Sequence, residues 1–95
     1  MKSVNELLTD WMRESFRNAF PDFIHSFPDI IVTQSKLPGH GDYQCSAAMA
    51  LAKKLNKSPR VIAQTVVDSS SLIECIDRIE IAGPGFINLF LKTDW

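Results

Sequence analysis

The sequence has little cysteine, no excess of either charge and no long hydrophobic run. Cys45 and Cys75 form no CxxC pair and are too few for a disulfide scaffold, so we interpret them as reduced, core-filling thiols. The formal net charge is −1, which disfavours tight independent binding of RNA or DNA. No run is long enough to span a membrane, and the N-terminal MKSVNELLTDW lacks the apolar segment of a signal peptide. We therefore expect a cytoplasmic protein with no membrane partner.

The composition fits one folded domain. The chain has 95 residues, of which 45% are hydrophobic and 22% are charged, which is enough for one core. We predict a single domain over residues 1–95. Because KTDW follows the last predicted strand abruptly, we expect this domain to be the first part of a longer protein.

The hydrophobic pattern predicts three helices and four strands. The helices are expected at 3–20, 46–56 and 58–69, with Ser46 and Ser58 as N-caps of the last two. The strands are expected at 30–35, 42–45, 74–81 and 86–92, although 42–45 is also compatible with an approach to the helix. The order α-β-β-α-α-β-β indicates a two-layer α+β fold, in which an antiparallel sheet of about four strands carries helices on one face.

The last strand, in the stretch IAGPGFINLFL, has an asparagine among apolar residues. Alternation separates its side chains into two sets: Ile87, Leu89 and Leu91 on one face, and Phe86, Asn88 and Phe90 on the other. The aliphatic set should face the helices together with Ile79 and Ile81, which leaves Arg78 and Glu80 beside Asn88. Two aromatic rings around an amide suit an unstacked nucleobase. The alternative is a mixed exposed face, in which Asn88 bonds to a neighbouring loop.

The turn before this strand contains two glycines. Gly83 and Gly85 around Pro84 permit the positive φ values of a tight hairpin loop. No helix follows them, so they do not form a phosphate-binding loop.

A short basic run, KKLNKSPR, spans residues 53–60 and contains Lys53, Lys54, Lys57 and Arg60. Lys53 and Lys54 end a predicted helix, where the helix dipole favours cations. The same charges suit sequence-independent phosphate contacts. The sequence leaves these two interpretations open.

Four stretches together resemble one protein family. They are GDYQC at 41–45, AAMALAKKL at 47–55, SPRVIAQ at 58–64 and IEIAGPGFINLFL at 79–91. They look like the N-terminal additional domain of arginyl-tRNA synthetases, and the resemblance covers roughly residues 30–92. It implies an α+β domain that precedes a catalytic Rossmann domain and contacts the D-loop of arginine tRNA. In that family an aromatic residue and an Asn of the G-P-G-[FY]-x-N motif contact a D-loop base, and the matching residues here are Phe86 and Asn88.

The resemblance also marks residues for which it implies a structural or supporting role. The family usually has Asn where this chain has Ser46, and either residue can cap a helix. Asp42, Tyr43 and Gln44 match the motif, and we expect them to fix their loop onto the following helix. Lys53, Lys54, Lys57, Arg60, Arg78 and Phe90 are candidates for supporting RNA contacts.

The chain contains no catalytic signature. It lacks the His-Ile-Gly-His and Lys-Met-Ser-Lys motifs with which class I synthetases handle ATP, so it is not expected to aminoacylate alone. The resemblance implies a full-length arginine–tRNA ligase that uses ATP with Mg. His25 and His40 are expected in loops, no spacing pairs them with Cys45 as a nucleophile, and no metal-ligand spacing occurs.

The predicted function is recognition of the D-loop of arginine tRNA, with the remainder of the synthetase as second partner and no role for DNA. The alternative is a module that docks a protein or another domain and makes no RNA contact. Salt distinguishes them, because phosphate-driven binding weakens steeply with ionic strength. A free-standing homologue that acts in trans is a third possibility.

Overall fold

The computed structural model describes residues 3–23, 30–35 and 41–92. Its helices are α1 (Val4–Ala19), α2 (Ala47–Leu55) and α3 (Pro59–Ser69), and a 3-10 turn at Pro21–Phe23 follows α1. Its strands are β1 (Val32–Gln34), β2 (Tyr43–Cys45), β3 (Ile76–Ala82) and β4 (Phe86–Leu91). The predicted order is confirmed, and residues 42–45 contribute a strand. β1 is shorter than predicted, because only Val32–Gln34 pair with β2.

Helix α1 has a capped start, an apolar stripe and a clear end. The Ser3 hydroxyl accepts a hydrogen bond from the Glu6 backbone N–H at 3.2 Å. Residues four positions apart form one buried stripe along the helix. They are Leu8, Met12 and Phe16. Phe20 has a φ of −136°, outside the helical range, and Pro21 follows it.

The starts of α2 and α3 differ. Ser58 has an extended backbone with ψ 149°, and its hydroxyl accepts from the Val61 N–H at 3.3 Å, with Pro59 in the first turn. Ser46 also stands at an N-cap position, but its side chain makes no capping hydrogen bond. The predicted cap role of the Ser46 side chain is therefore wrong. Its ψ is 9°, whereas a capping side chain usually requires an extended backbone at this position.

The four strands form one antiparallel sheet in the order β1-β2-β4-β3. β4 is therefore a central strand, with β2 on one side and β3 on the other. The register places Gln44 of β2 and Glu80 of β3 directly opposite Asn88. The β3–β4 register shifts between Ile76 and Arg78.

One hydrophobic core joins the helices to one face of the sheet. Its fully buried members from the two layers include Leu8, Phe16, Leu51, Ile62, Val66, Val32, Ile87 and Leu89. Ile79, Ile81 and Leu91 are partly buried and pack against this core, as the alternation predicted. The two-layer α+β architecture is confirmed.

The β3–β4 turn packs against the first turn of α3. Gly83 and Gly85 have φ values of 55° and 139°, so the predicted positive φ is confirmed. A Cβ built on Gly85 would lie 2.7 Å from the Cβ of Pro59 and 2.9 Å from its carbonyl carbon. The Arg60 guanidinium donates to the Gly83 carbonyl oxygen at 2.6 Å. Glycine at 85 thus permits a close approach of turn and helix that a side chain would block.

Candidate nucleic-acid interface

The two faces of β4 have different environments. Ile87 and Leu89 lie in the core beneath the helices, whereas Phe86, Asn88 and Phe90 lie on the opposite side of the sheet. We call this second side the open face. The register adds Gln44, Arg78 and Glu80 to it, because directly opposed residues of neighbouring strands share a face.

Asn88 is enclosed on the open face. The residue is 2% exposed, and its Oδ1 accepts a hydrogen bond from Gln44 Nε2 at 3.1 Å. The accepting end of this amide is therefore bonded within the domain. Asn88 is a short side chain in the middle of a central strand, flanked by the longer Gln44 and Glu80, and by Phe86 and Phe90 along β4. Among the described residues, no fully buried side-chain nitrogen or oxygen lacks a hydrogen-bond partner.

The aromatic residues of the open face are half-buried, and a cationic side chain lies over the ring of one of them. The Arg78 guanidinium carbon lies 3.9 Å from the Phe90 ring centroid, within the range of a cation–π contact. Arg78 also donates to Glu80 at 2.6 Å and lies 3.8 Å from the Asp77 carboxylate. These three charged side chains are more than half exposed, so each ion pair contributes little to stability. Arg78 therefore covers one side of Phe90, and its charge is balanced locally.

The GDYQ segment fastens β2 to β4. The Asp42 carboxylate accepts from the Leu91 backbone N–H at 2.8 Å, and the Asp42 N–H donates to the Leu89 carbonyl oxygen at 2.9 Å. Gln44 adds its bond to Asn88. The sequence predicts that this segment fixes its loop onto the following helix, whereas these hydrogen bonds run to β4.

The backbone of Gly41, in the same segment, packs closely against the backbone of β4. It has a φ of 84°, and a Cβ there would lie 2.9 Å from the Leu89 carbonyl oxygen. In the sequence, the only sign of the contacts between this segment and β4 was the run of polar residues at Asp42, Tyr43 and Gln44. The sequence could not identify their partners, because the partners lie more than 40 positions away.

The basic run is divided between two environments. Lys53 and Lys54 lie exposed in the last turn of α2, and Lys57 is exposed in the connection to α3. α2 packs on the helix side of the sheet, so the structure does not bring these lysines onto the open face. Arg60 reaches the turn that precedes Phe86 through its bond to Gly83. Only Arg78 among the cationic candidates lies on the open face itself.

The candidates for other chemistry have no support in the described residues. Cys45 and Cys75 are buried and unpaired, and burial raises the pKa of both thiols above the ordinary value of 9.0. A raised pKa disfavours the nucleophilic thiolate. His25 and His40 lie outside the described residues. Within residues 3–23, 30–35 and 41–92, no cluster of three metal-ligating side chains occurs, and no helix has the length and hydrophobicity to cross a membrane.

Comparison with known proteins identifies the family. The family described as "Arginyl tRNA synthetase N terminal domain" matches residues 4–91. The chain belongs to this family. The match includes every helix and strand of the fold and the whole open face.

Individual arginyl-tRNA synthetases are similar to the chain over a small part of their own length. Arginine–tRNA ligase of Haemophilus ducreyi is 52% identical over 65 residues, which are 68% of this chain and 12% of that protein. The cytoplasmic arginine–tRNA ligase of Rattus norvegicus is 40% identical over 100 aligned residues, which cover 100% of this chain and 15% of that protein. The crystal structure of arginyl-tRNA synthetase from Plasmodium falciparum superposes with a TM-score of 0.81 at 26% identity, over 99% of this chain and 17% of that one. The chain thus corresponds to one domain of much longer relatives.

Proposed function

We propose that this domain recognises a base in the D-loop of arginine tRNA, with Phe86 and Asn88 as the contacting residues. The observation that carries the proposal is the position of both side chains on the open face of a domain of this family. In the part of the chain that the structure describes, the helices pack on the other side of the sheet and do not cover this face.

The proposed parent is an arginine–tRNA ligase of class I. It joins arginine to its tRNA, uses ATP with Mg in its catalytic domain, and acts in the cytoplasm, the compartment named for the rat relative. The partners of this domain are arginine tRNA and the remainder of the synthetase. DNA and membranes have no part in the proposal.

The two residues have different parts in the proposed recognition: Phe86 stacks on the base, and Asn88 forms a hydrogen bond to its edge. Half-buried Phe86 provides an aromatic surface, and base–aromatic stacking contributes about 1–3 kcal/mol per base. Asn88 is 2% exposed, so its neighbours must shift before a base edge can reach it. Rotamer changes of this kind are common when interfaces form, and they occur quickly at exposed side chains. In this proposal, binding of the base therefore induces a rearrangement of the side chains on the open face.

Electrostatics predict weak binding by the isolated domain. The formal net charge is −1, and Arg78 is already paired with acidic neighbours. Lys53, Lys57 and Arg60 are exposed and suited to phosphate contacts, which carry no sequence information. In the full ligase, such contacts position the tRNA for chemistry at a distance.

One observation favours the alternative of a docking surface. Asn88 is enclosed and bonded to Gln44 in the absence of RNA, whereas Phe86 and Phe90 are partly exposed. Two partly exposed rings suit a protein partner as well as a base. The two functions differ in their response to salt, since a contact centred on these rings depends much less on ionic strength than phosphate contacts do.

The test is a titration of the domain with arginine tRNA at low and at moderate salt. It compares the wild type with the Phe86→Ala, Asn88→Ala double variant, and with Asn18→Ala as a matched control on the exposed surface of α1. A tRNA with a changed D-loop base forms a second arm. Far-UV circular dichroism establishes that each variant is folded.

We expect binding that weakens with salt, is lost in the double variant and survives in Asn18→Ala. Equal affinity for tRNAs that differ in the D-loop base would contradict base reading. Binding to the remainder of the synthetase at both salt concentrations, without tRNA binding, would support the docking alternative.

A further inference from the structure

A row of polar side chains crosses the open face at Asn88. The register places Gln44, Asn88 and Glu80 side by side on three adjacent strands. Gln44 Nε2 donates to Asn88 Oδ1 at 3.1 Å, and the Glu80 carboxylate accepts from Arg78 Nε at 2.6 Å. Asn88 is the buried member of this row.

The chemistry of the row determines which way the Asn88 amide is turned. A carboxylate only accepts hydrogen bonds, whereas an amide has one accepting and one donating end. With Glu80 on the β3 side, the favourable arrangement directs the Asn88 oxygen to β2 and leaves its NH2 group away from Gln44. Reversing the Asn88 amide alone would set its NH2 group against the Gln44 NH2 donor, and even if Gln44 turned its own amide as well, the Asn88 oxygen would still lie toward the Glu80 carboxylate.

On the basis of the proposed function, we propose that Gln44 is a positioning residue. It orients the Asn88 side chain so that the NH2 group of Asn88 contacts the D-loop base. Gln44 occupies the accepting end of the amide, so the base is recognised by a hydrogen-bond acceptor on its edge, either a ring nitrogen or a carbonyl oxygen. An amide oxygen can accept two hydrogen bonds, but in the proposed orientation the Asn88 oxygen is turned toward Gln44 and away from the base, so an exocyclic amino group of the base makes no hydrogen bond to it.

The proposal differs from the usual way in which asparagine reads adenine. A bidentate contact uses the amide oxygen for the exocyclic amino group and the NH2 group for N7. In this domain the oxygen already accepts from Gln44, which is itself half-buried and aligned by strand pairing. In the proposed orientation, with its oxygen turned toward Gln44, Asn88 makes a single contact to the base through its NH2 group.

The first part of the test uses the free domain. The Asn88 side-chain carbonyl carbon and amide signals are assigned by NMR in the wild type and in Gln44→Leu. The control is Gln64→Leu, which removes a glutamine bonded to Asp68 on the exposed surface of α3. We expect the Asn88 carbonyl signal to shift in Gln44→Leu and to stay in place in Gln64→Leu. An unchanged signal in Gln44→Leu would overturn the proposal.

The second part uses D-loop hairpins whose exposed base is adenosine or purine riboside, which lacks the amino group and keeps the ring nitrogens. The wild type should bind the adenosine and purine riboside hairpins with affinities within about twofold of each other, because the missing amino group makes no hydrogen bond to Asn88. The loss of one net hydrogen bond would change the affinity by roughly two- to tenfold. Gln44→Leu frees the Asn88 oxygen and should prefer adenosine by roughly two- to tenfold. Gln44→Glu has the same shape but cannot donate when ionised, so it should shift the preference in the same direction.

A wild type that prefers adenosine by the same factor as Gln44→Leu would overturn the role of Gln44, although tRNA binding itself would stand. Failure of every hairpin to bind at low salt would overturn the proposed function and base reading together, even where NMR shows the Gln44–Asn88 hydrogen bond. The two failures are therefore distinguishable.

Discussion

At the scale of single residues, the enclosed amide of Asn88 explains how a polar side chain is tolerated in an apolar strand. A buried polar group without a partner costs about 1–3 kcal/mol, whereas a satisfied one is close to neutral. Gln44 supplies a partner for Asn88 Oδ1, so the asparagine is compatible with stability before any ligand arrives.

Gly85 provides a prediction at the same scale. Gly85→Ala should lower the free energy of unfolding by about 2–4 kcal/mol, because a left-handed φ and a collision with Pro59 act together. That loss corresponds to a melting temperature roughly 8–32 °C lower, measured by circular dichroism. The control is Gly83→Asn, where φ is 55° and the nearest atom would be 3.5 Å away. It should cost less than about 1 kcal/mol, because Asn enters this region readily. Equal losses in the two variants would contradict the close approach to Pro59.

At the scale of elements, α1, α2 and α3 all have serine at the N-cap position, and only the serine of α2 makes no capping hydrogen bond with its side chain. Ser58 has an extended backbone and caps α3, whereas Ser46 has a ψ of 9° and does not cap α2. The backbone of Ser46 follows directly from Cys45, the last residue of β2, so strand pairing constrains it. The identity of the residue at an N-cap position is thus insufficient to predict a cap.

The pair offers a matched test. Ser58→Ala should lower the free energy of unfolding by about 1 kcal/mol, since it removes the bond to the Val61 N–H. Ser46→Ala should change it by less than about 0.5 kcal/mol, as expected for a surface substitution that breaks no hydrogen bond. Chemical denaturation with a common slope measures both. A larger loss in Ser46→Ala than in Ser58→Ala would show that the Ser46 hydroxyl caps α2 in solution.

At the scale of the whole molecule, one core makes the domain a single folding unit. α1 is joined to the core by its buried stripe, and Trp11 Nε1 donates to the Ser71 carbonyl oxygen at 2.7 Å, which ties α1 to the segment after α3. Small domains with one core usually unfold in a single transition. The open face is therefore as stable as the helices that support it.

Leu8→Ala tests this cooperativity. Leu8 is fully buried, so its truncation should lower the free energy of unfolding by about 2–5 kcal/mol. The adjacent Leu7 is 37% exposed, and Leu7→Ala should have a smaller effect, which makes it the matched control. Far-UV and near-UV circular dichroism should report the same midpoint for each variant. Separate midpoints for helix and tertiary signals would contradict a single unit.

The sequence by itself determined the order of helices and strands and the two faces of β4. Both follow from local periodicity: helices from the spacing of residues such as Leu8 and Met12, and strand faces from the alternation of Ile87 with Asn88. The positive φ at Gly85 also followed from local turn chemistry.

Only the tertiary structure decided the environment of the candidate site. Asn88 is enclosed and its oxygen is occupied because the fold brings Gln44 beside it from 44 positions away along the chain. The same pairing of distant strands directs Asp42 to the backbone of β4, and the packing of α2 leaves its lysines off the open face. Such contacts depend on which strands become neighbours, and local patterns of hydrophobicity carry no information about that choice.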